Sequence, residues 1–166
     1  VMDVISKTPQ HTYQLLTKRA ERMAEYFSSR LIPQNVWLGV TVEDTLTKYR
    51  IDFLRNLSAQ VKFLSCEPLL CDLGELDLEG VDWIIVGGES GPIARPMKEE
   101  WVLNIKRQAE QKSIPFFFKQ WGTWSKEGVK GNKKKNGKLL QGEVIQQMPK
   151  VVHENFRNKD QTKFWE

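Results

Sequence analysis

Five short apolar runs, each ending on a polar or charged group, constrain this chain more than any other feature of its sequence. Residues 13–16 run into Thr17, Lys18 and Arg19, and residues 36–40 into Thr41, Glu43 and Asp44. Residues 61–64 run into Ser65, Cys66 and Glu67, and residues 83–86 into Gly87, Gly88, Glu89 and Ser90. Three phenylalanines, Phe116, Phe117 and Phe118, run into Lys119 and Gln120. The gaps between runs suit a strand followed by a crossover helix. Strands covered on both faces read as near-continuous apolar runs rather than as alternating ones. The expected fold is therefore α/β, a parallel sheet of about five strands with right-handed crossover helices. Spacing alone leaves a doubly wound sheet and a partial barrel equally open. In either fold, ligands sit at the carboxyl ends of the strands, so the polar set should converge on one rim.

The segments between the runs carry helical spacing. Residues 19–29 read as a helix, as do 45–57, with Tyr49, Phe53 and Leu57 on one stripe, and 99–112, with Trp101, Ile105 and Ala109 inward. Residues 1–7 also have helical spacing, with Val1, Val4 and Ile5 on one face, and Pro9 ends them. A domain rarely starts with a short helix feeding a strand, so the expectation is that the chain is the later part of something longer. Residues 1–125 form the expected α/β unit. Residues 126–166 add a basic loop, a small hairpin near 139–140 and 144–145, and a polar, frayed tail from His153.

Composition narrows the class. The chain has 166 residues, 40% hydrophobic and 28% charged, enough for one soluble domain with a sizeable core. No apolar stretch approaches a membrane span, and no signal peptide opens the chain. The two cysteines, Cys66 and Cys71, are too few for a disulfide framework or a complete thiolate metal site, so no metal is expected. A reduced cytoplasmic setting follows. His11 and His153 lie away from every strand end, which argues against a histidine triad or a histidine metal site.

The net charge of +4 is concentrated in residues 126–138, where Lys126, Lys130, Lys133, Lys134, Lys135 and Lys138 face only Glu127. Gly128, Gly131, Asn132, Asn136 and Gly137 make it read as a mobile loop. Such a stretch is either a solvated surface or a phosphate-backbone contact, with Lys130, Lys133, Lys134, Lys135 and Lys138 as nucleic-acid candidates.

At the rim, Glu67, Glu89 and Lys119 are the candidate catalytic groups. A strand that stops on Gly87 and Gly88 lets backbone approach a ligand closely and projects Glu89 at the rim. The glycine spacing matches neither a dinucleotide fingerprint nor a nucleophile elbow. Pro68 biases Glu67 toward an extended conformation. Glu67 then reads either as a site group or as the ion-pair partner of Lys18 or Lys119, and the two readings are compatible. Lys119 leaves a dry run of phenylalanines, a setting that favours anion binding. Lys18, Arg19, Arg95, Lys119, Gln120 and Trp121 form the candidate substrate wall, with Trp121 and Trp124 either stacking on a flat ligand or packing as core and lid. Asp44 suits a helix cap and Glu43 a rim position.

Five segments carry a resemblance to a known family. They are Thr8-Pro-Gln-His-Thr-Tyr-Gln-Leu-Leu-Thr-Lys-Arg, Val36-Trp-Leu-Gly-Val-Thr-Val-Glu-Asp, Phe63-Leu-Ser-Cys-Glu-Pro-Leu-Leu, Trp83-Ile-Ile-Val-Gly-Gly-Glu-Ser-Gly-Pro-Ile-Ala-Arg-Pro-Met and Pro115-Phe-Phe-Phe-Lys-Gln-Trp-Gly. With them the chain resembles the phage Gp37/Gp68-like family, a domain of unknown function that looks like a distant relative of radical S-adenosylmethionine enzymes. The resemblance implies a partial TIM-barrel-like, radical SAM-like fold. It implies S-adenosylmethionine and a [4Fe–4S] centre for full-length relatives, the centre held by a three-cysteine cluster in an N-terminal part that this chain lacks. Gly87, Gly88, Glu89, Ser90, Glu43 and Glu67 are the cofactor-side candidates, and this chain alone is expected to retain neither group. Two functions follow as expectations. One is the cavity wall of a radical-type enzyme, completed by the missing part or a partner chain. The other is a non-catalytic nucleic-acid-binding module. Unpaired strand edges further suggest a homodimer or a compact open sheet.

Overall fold

The structure, a computed structural model, describes residues 1–150. Five strands form one parallel sheet in sequence order: β1 (Tyr13–Thr17), β2 (Val36–Thr41), β3 (Val61–Cys66), β4 (Trp83–Gly87) and β5 (Phe116–Gln120). The helices are α1 (Met2–Lys7), α2 (Ala20–Phe27), α3 (Arg50–Arg55), α4 (Glu99–Gln111) and the one-turn α5 (Lys133–Asn136). A short hairpin pairs β6 (Leu139–Leu140) with β7 (Glu143–Val144). The expected α/β class with about five parallel strands is thus what the chain adopts.

Strand order without a reversal has a geometric consequence. Right-handed crossovers that always step the same way place their helices on the same face. Val36, Leu38 and Val40 of β2, Leu64 and Cys66 of β3, Ile84 and Val86 of β4, and Phe116 and Phe118 of β5 pack in one cluster with Met23, Leu54, Val102 and Ile105 from the helices. The alternate residues Trp37, Val61, Phe63 and Trp83, flanked by Ile85 and Phe117, form a second cluster on the other face. Among the described residues no helix contributes to that face. A doubly wound sheet, with helices on both faces and a reversal in strand order, is not what this chain builds.

The helix-free face buries itself by stacking rings. Trp83 lies edge-on to Trp37 and to Phe117, with centroids 5.9 Å and 5.8 Å apart. Phe63 lies across Gly39, where a β-carbon would come 2.3 Å from its ring. Trp83 also donates its indole N–H to the Gln147 carbonyl at 2.9 Å. The chain after the hairpin runs antiparallel along β5: the Phe118 amide donates to the Ile145 carbonyl at 2.7 Å, and the Gln147 amide to that of Phe116 at 3.1 Å. The outer edge of β5 is thereby covered by the chain's own backbone. β1 has a strand partner on one side alone among the described residues.

Several helical details differ from expectation. The segment read as one helix over 45–57 is a 3₁₀ turn, Thr45–Thr47, followed by α3. Asp44 and Thr47 close a reciprocal capping box, which tightens the first turn and lets the chain restart at Arg50. The buried stripe is accordingly Ile51, Leu54 and Leu57, while Tyr49 is exposed. In α4 the inward residues are Val102, Ile105, Gln108 and Ala109, with Trp101 at the margin under the Lys98 ammonium. In α1, Ile5 is buried while Val1 and Val4 face solvent.

Residues 126–138 are not a free loop. A bridge between Trp124 and Lys130, the turn of α5 and the hairpin give them regular structure. The hairpin register is one residue earlier on its second arm than the sequence suggested. The expected polar tail from His153 lies outside the described residues. No helix among the described residues is long and apolar enough to cross a membrane.

Leu140 is fully buried in the same cluster as the sheet and its helices. Replacing it with alanine should cost about 2–5 kcal/mol. In urea denaturation followed by both far-UV circular dichroism and tryptophan fluorescence, the loss should shift one shared transition. An unshifted transition would show that residues after 126 pack independently of the sheet.

Candidate functional site

Because all five strands run the same way, their carboxyl ends lie along one edge of the sheet. Residues two apart share a face, so Leu16 leads to Lys18, Thr41 to Glu43, Ser65 to Glu67, Ile85 to Gly87 and Phe117 to Lys119 on the helix-free side. The strand ends from β1 to β5 thus carry a cation, two carboxylates, a glycine and a cation.

These charges pair. Lys18 donates to one oxygen of Glu43, and Arg50, from the first turn of α3, donates to the other at 2.8 Å. The same arm of Arg50 donates to the Thr41 carbonyl at 2.8 Å, which fixes its height relative to β2. Sequence reading missed Arg50. Its signal was present as a cation that opens α3 shortly after Glu43. Lys119 donates to Glu67 at 3.0 Å. This contact spans β4, and the residue beneath it is Gly87, where a β-carbon would come 3.2 Å from the Glu67 carboxyl. The pairing of β4 with β5 slips between Val86 and Gly87, from Phe118 to Gln120, leaving Lys119 as the extra residue of a bulge. A bulge re-aims its side chain, and here it sends the ammonium back across the sheet.

The carboxylates are the shielded halves of these pairs. Side-chain exposure is 13% for Glu43 and 20% for Glu67, against 55% for Lys18 and 53% for Lys119. Each lysine has three N–H donors and spends one on its carboxylate. The remaining donors face solvent above a floor of buried Thr41 and Ser65 hydroxyls. Such an arrangement can exchange partners: an incoming anion takes the lysines, and an incoming cation takes the carboxylates. Cys66, beneath the rim on the helix face, is sealed. Burial, with Glu43 nearby, pushes its thiol up to about 12, which disfavours the thiolate that a nucleophile needs.

Gly87-Gly88-Glu89-Ser90 behaves differently from the reading as an open cradle. A β-carbon on Gly88 would lie 1.9 Å from the Trp121 carbonyl oxygen, and one on Gly122 2.2 Å from that of Glu89. The second glycine is therefore spent on close contact between the loops after β4 and β5. Thr123 locks the same contact: its amide donates to the Glu89 carbonyl at 2.9 Å, and its hydroxyl receives the Gly91 amide at 2.9 Å. Gln120 reaches Ser90 at 3.3 Å. Glu89 is held by Arg95 through two side-chain N–H groups and the backbone amide, each at 2.8 Å. Glu89 and Arg95 thus form their own pair beside the rim, and neither contacts Glu67 or Lys119.

The remaining candidates separate by location. Trp121 is 2% exposed, packed on Phe118 and donating its indole N–H to the Leu139 carbonyl, so of its two readings it is the core-packing one that the structure shows, not the substrate wall. Trp124 is half-buried and gives its N–H to the Ala94 carbonyl. Arg19 precedes α2 on the far side of β1, along a groove of about 380 Å³ lined by Leu15, Leu16, Met23 and Phe27. Among the described residues no group of three histidine, cysteine or carboxylate side chains is placed to hold a metal ion.

Three donors from Arg95, with the side-chain ones acting first, hold the Glu89 carboxyl at about 2, well below its ordinary 4.5. A depressed carboxylate stabilises the fold above pH 4.5, and that contribution disappears as pH falls toward 2. Replacing Glu89 with glutamine should therefore flatten the acid limb of a stability-versus-pH curve between pH 4.5 and 2. An unchanged acid limb would mean that the pair contributes nothing in solution.

No curated protein and no solved structure matches the chain. One family model does match, over residues 1–149, and it is described as a protein of unknown function. On that extent of match, the chain belongs to the family DUF5131.

Proposed function

We propose that this chain supplies the carboxyl-end wall of a ligand site in a barrel-like, radical SAM-like protein, as its resemblance to the Gp37/Gp68-like family suggests. The observation that carries the proposal is the pair of ion pairs, Lys18–Glu43 and Glu67–Lys119, aligned along one strand-end edge of a sheet on whose other face α1 to α4 pack. Singly wound sheets of this kind place their chemistry at the carboxyl ends. The ligand class that fits is a small zwitterion. Its carboxylate would take the free N–H donors of Lys18 or Lys119, and its ammonium would take Glu43 or Glu67.

The methionyl end of S-adenosylmethionine belongs to that class, and the rim pairs fit it. Gly87-Gly88-Glu89 does not: the carboxylate of Glu89 already receives three N–H groups, and Gly88 is closed by Trp121. Neither do the residues present fit a [4Fe–4S] centre, because Cys66 is sealed in the core and Cys71 has no third thiolate beside it. Three cysteines for such a centre would have to come from outside this chain. The role proposed for the described residues is binding and orientation, with Glu67 as the shielded carboxylate beside Lys119.

Calorimetric titration with S-adenosylmethionine and with free methionine tests this. Both should bind, and Lys119→Ala and Glu67→Gln should each weaken binding about tenfold or more, the scale of one charged hydrogen bond. Circular dichroism should show both variants folded. No heat from either ligand, or equal binding by the variants, would overturn the reading.

A further inference from the structure

The lysine-rich stretch is built onto the rim loops rather than hung beyond them. The Gly131 amide donates to the Thr123 carbonyl at 2.7 Å, and the Trp121 amide to the Gly137 carbonyl at 3.2 Å. Asn136 donates its side-chain amide to both the Gly122 and Thr123 carbonyls, at 3.0 and 2.8 Å. Lys130 reaches the Pro92 carbonyl at 2.8 Å, with its ammonium 5.8 Å from the Trp124 ring. Residues 122–123 follow β5 and residue 92 follows β4. The stretch is therefore clamped at the carboxyl end of the sheet, the end that carries Lys119.

Clamping the backbone leaves the charges free. Lys126, Lys134, Lys135 and Lys138 are exposed. Lys134 and Lys135 make no ion pair among the described residues, Lys138 touches only the neutral Gln146 amide, and Lys126 has Glu127 at 3.8 Å. Lys98, on the loop that Lys130 contacts, is also largely exposed, with Glu100 at 3.5 Å. Apart from Glu127 and Val129 the spacers between the lysines are glycine and asparagine, so the surface offers charge with almost no apolar area. A membrane-surface segment needs an apolar face to insert, and this one has a single exposed valine, Val129. A polyphosphate backbone needs only positioned cations.

We propose that residues 126–138 form a nucleic-acid-binding surface, contacting backbone phosphates through Lys126, Lys134, Lys135 and Lys138. The bound strand passes beside the Glu67–Lys119 end of the rim. Resting on the ligand-site reading, the inference adds that the rim acts on something carried by, or delivered to, a nucleic acid. Binding itself does not require that reading.

The test is fluorescence anisotropy with labelled 20-mers of single-stranded DNA, duplex DNA and RNA, between 50 and 200 mM salt. About four phosphate contacts give a log–log salt slope of roughly −2.8 to −3.6, so affinity should fall on the order of 50- to 150-fold over that range. The double variant K134E/K135E should lose at least about tenfold at low salt and flatten the slope by about two. The same variant should titrate S-adenosylmethionine like the parent chain, which separates failure of this surface from failure of the rim. Absent or salt-insensitive binding, equal affinity in the variant, or capture by phosphatidylserine vesicles with no oligonucleotide binding would each overturn the proposal.

Discussion

The rim depends on the ring of Phe63 lying across Gly39. A sheet whose helices all pack on one face must bury its other face without them. Here it does so by stacking Phe63, Trp37, Trp83 and Phe117, and the stack closes because Gly39 leaves the width of a side chain empty. This makes a dry floor directly below the strand ends. Side chains just above that floor are partly withdrawn from water, which is why Glu43 and Glu67 are shielded and each needs a cation. The charge order along the rim is thus an outcome of the packing beneath it.

Three glycines that look alike in sequence do different physical work. Gly39 admits a ring, Gly87 clears the path of the Glu67–Lys119 contact across β4, and Gly88 admits the backbone of Trp121. None has a positive φ, so each is required by close approach rather than by an unusual backbone conformation. The adjacent pair Gly87-Gly88 invited a reading as a ligand cradle. One member instead makes room for an ion pair, and the other fuses two loops into a rigid unit. The ligand-facing role shifts away from Glu89, spent on Arg95, toward Glu67 and Lys119.

The sheet was legible because buried parallel strands write themselves as uninterrupted apolar runs, and because strand direction puts every run's last residues on one edge. Asp44 was legible as a cap since its role is settled within four residues. What was not legible depends on three-dimensional geometry that periodicity and composition do not carry, whether the contact is local or far apart in sequence. The capping box of Asp44 and Thr47 splits what periodicity shows as one helix. Arg50 joins the rim through a turn whose geometry the sequence does not print. Trp121 looked like a pocket ring, yet the β6 carbonyl of Leu139 draws it into the core. The lysine stretch had the composition of a mobile loop, and nothing local announces that Asn136 will pin it to Gly122 and Thr123.

The two sheet edges meet different fates, and the difference links the rim to the lysine surface. An open strand edge is a pairing hazard. At β5 the chain removes it by turning back through Ile145 and Gln147. Between the carboxyl end of β5 and that return, residues 130–137 are held against the loops after β4 and β5 through Pro92, Trp121, Gly122 and Thr123. Covering the edge and placing lysines beside the rim are therefore one structural act. At β1 no strand covers the free side among the described residues, and the apolar groove of Leu15, Leu16, Met23 and Phe27 borders it. The β5 half of the rim, with Lys119, is held from both sides. The β1 half, with Lys18, is held from one, so a strand added at β1 would stiffen the wall where it is now least supported.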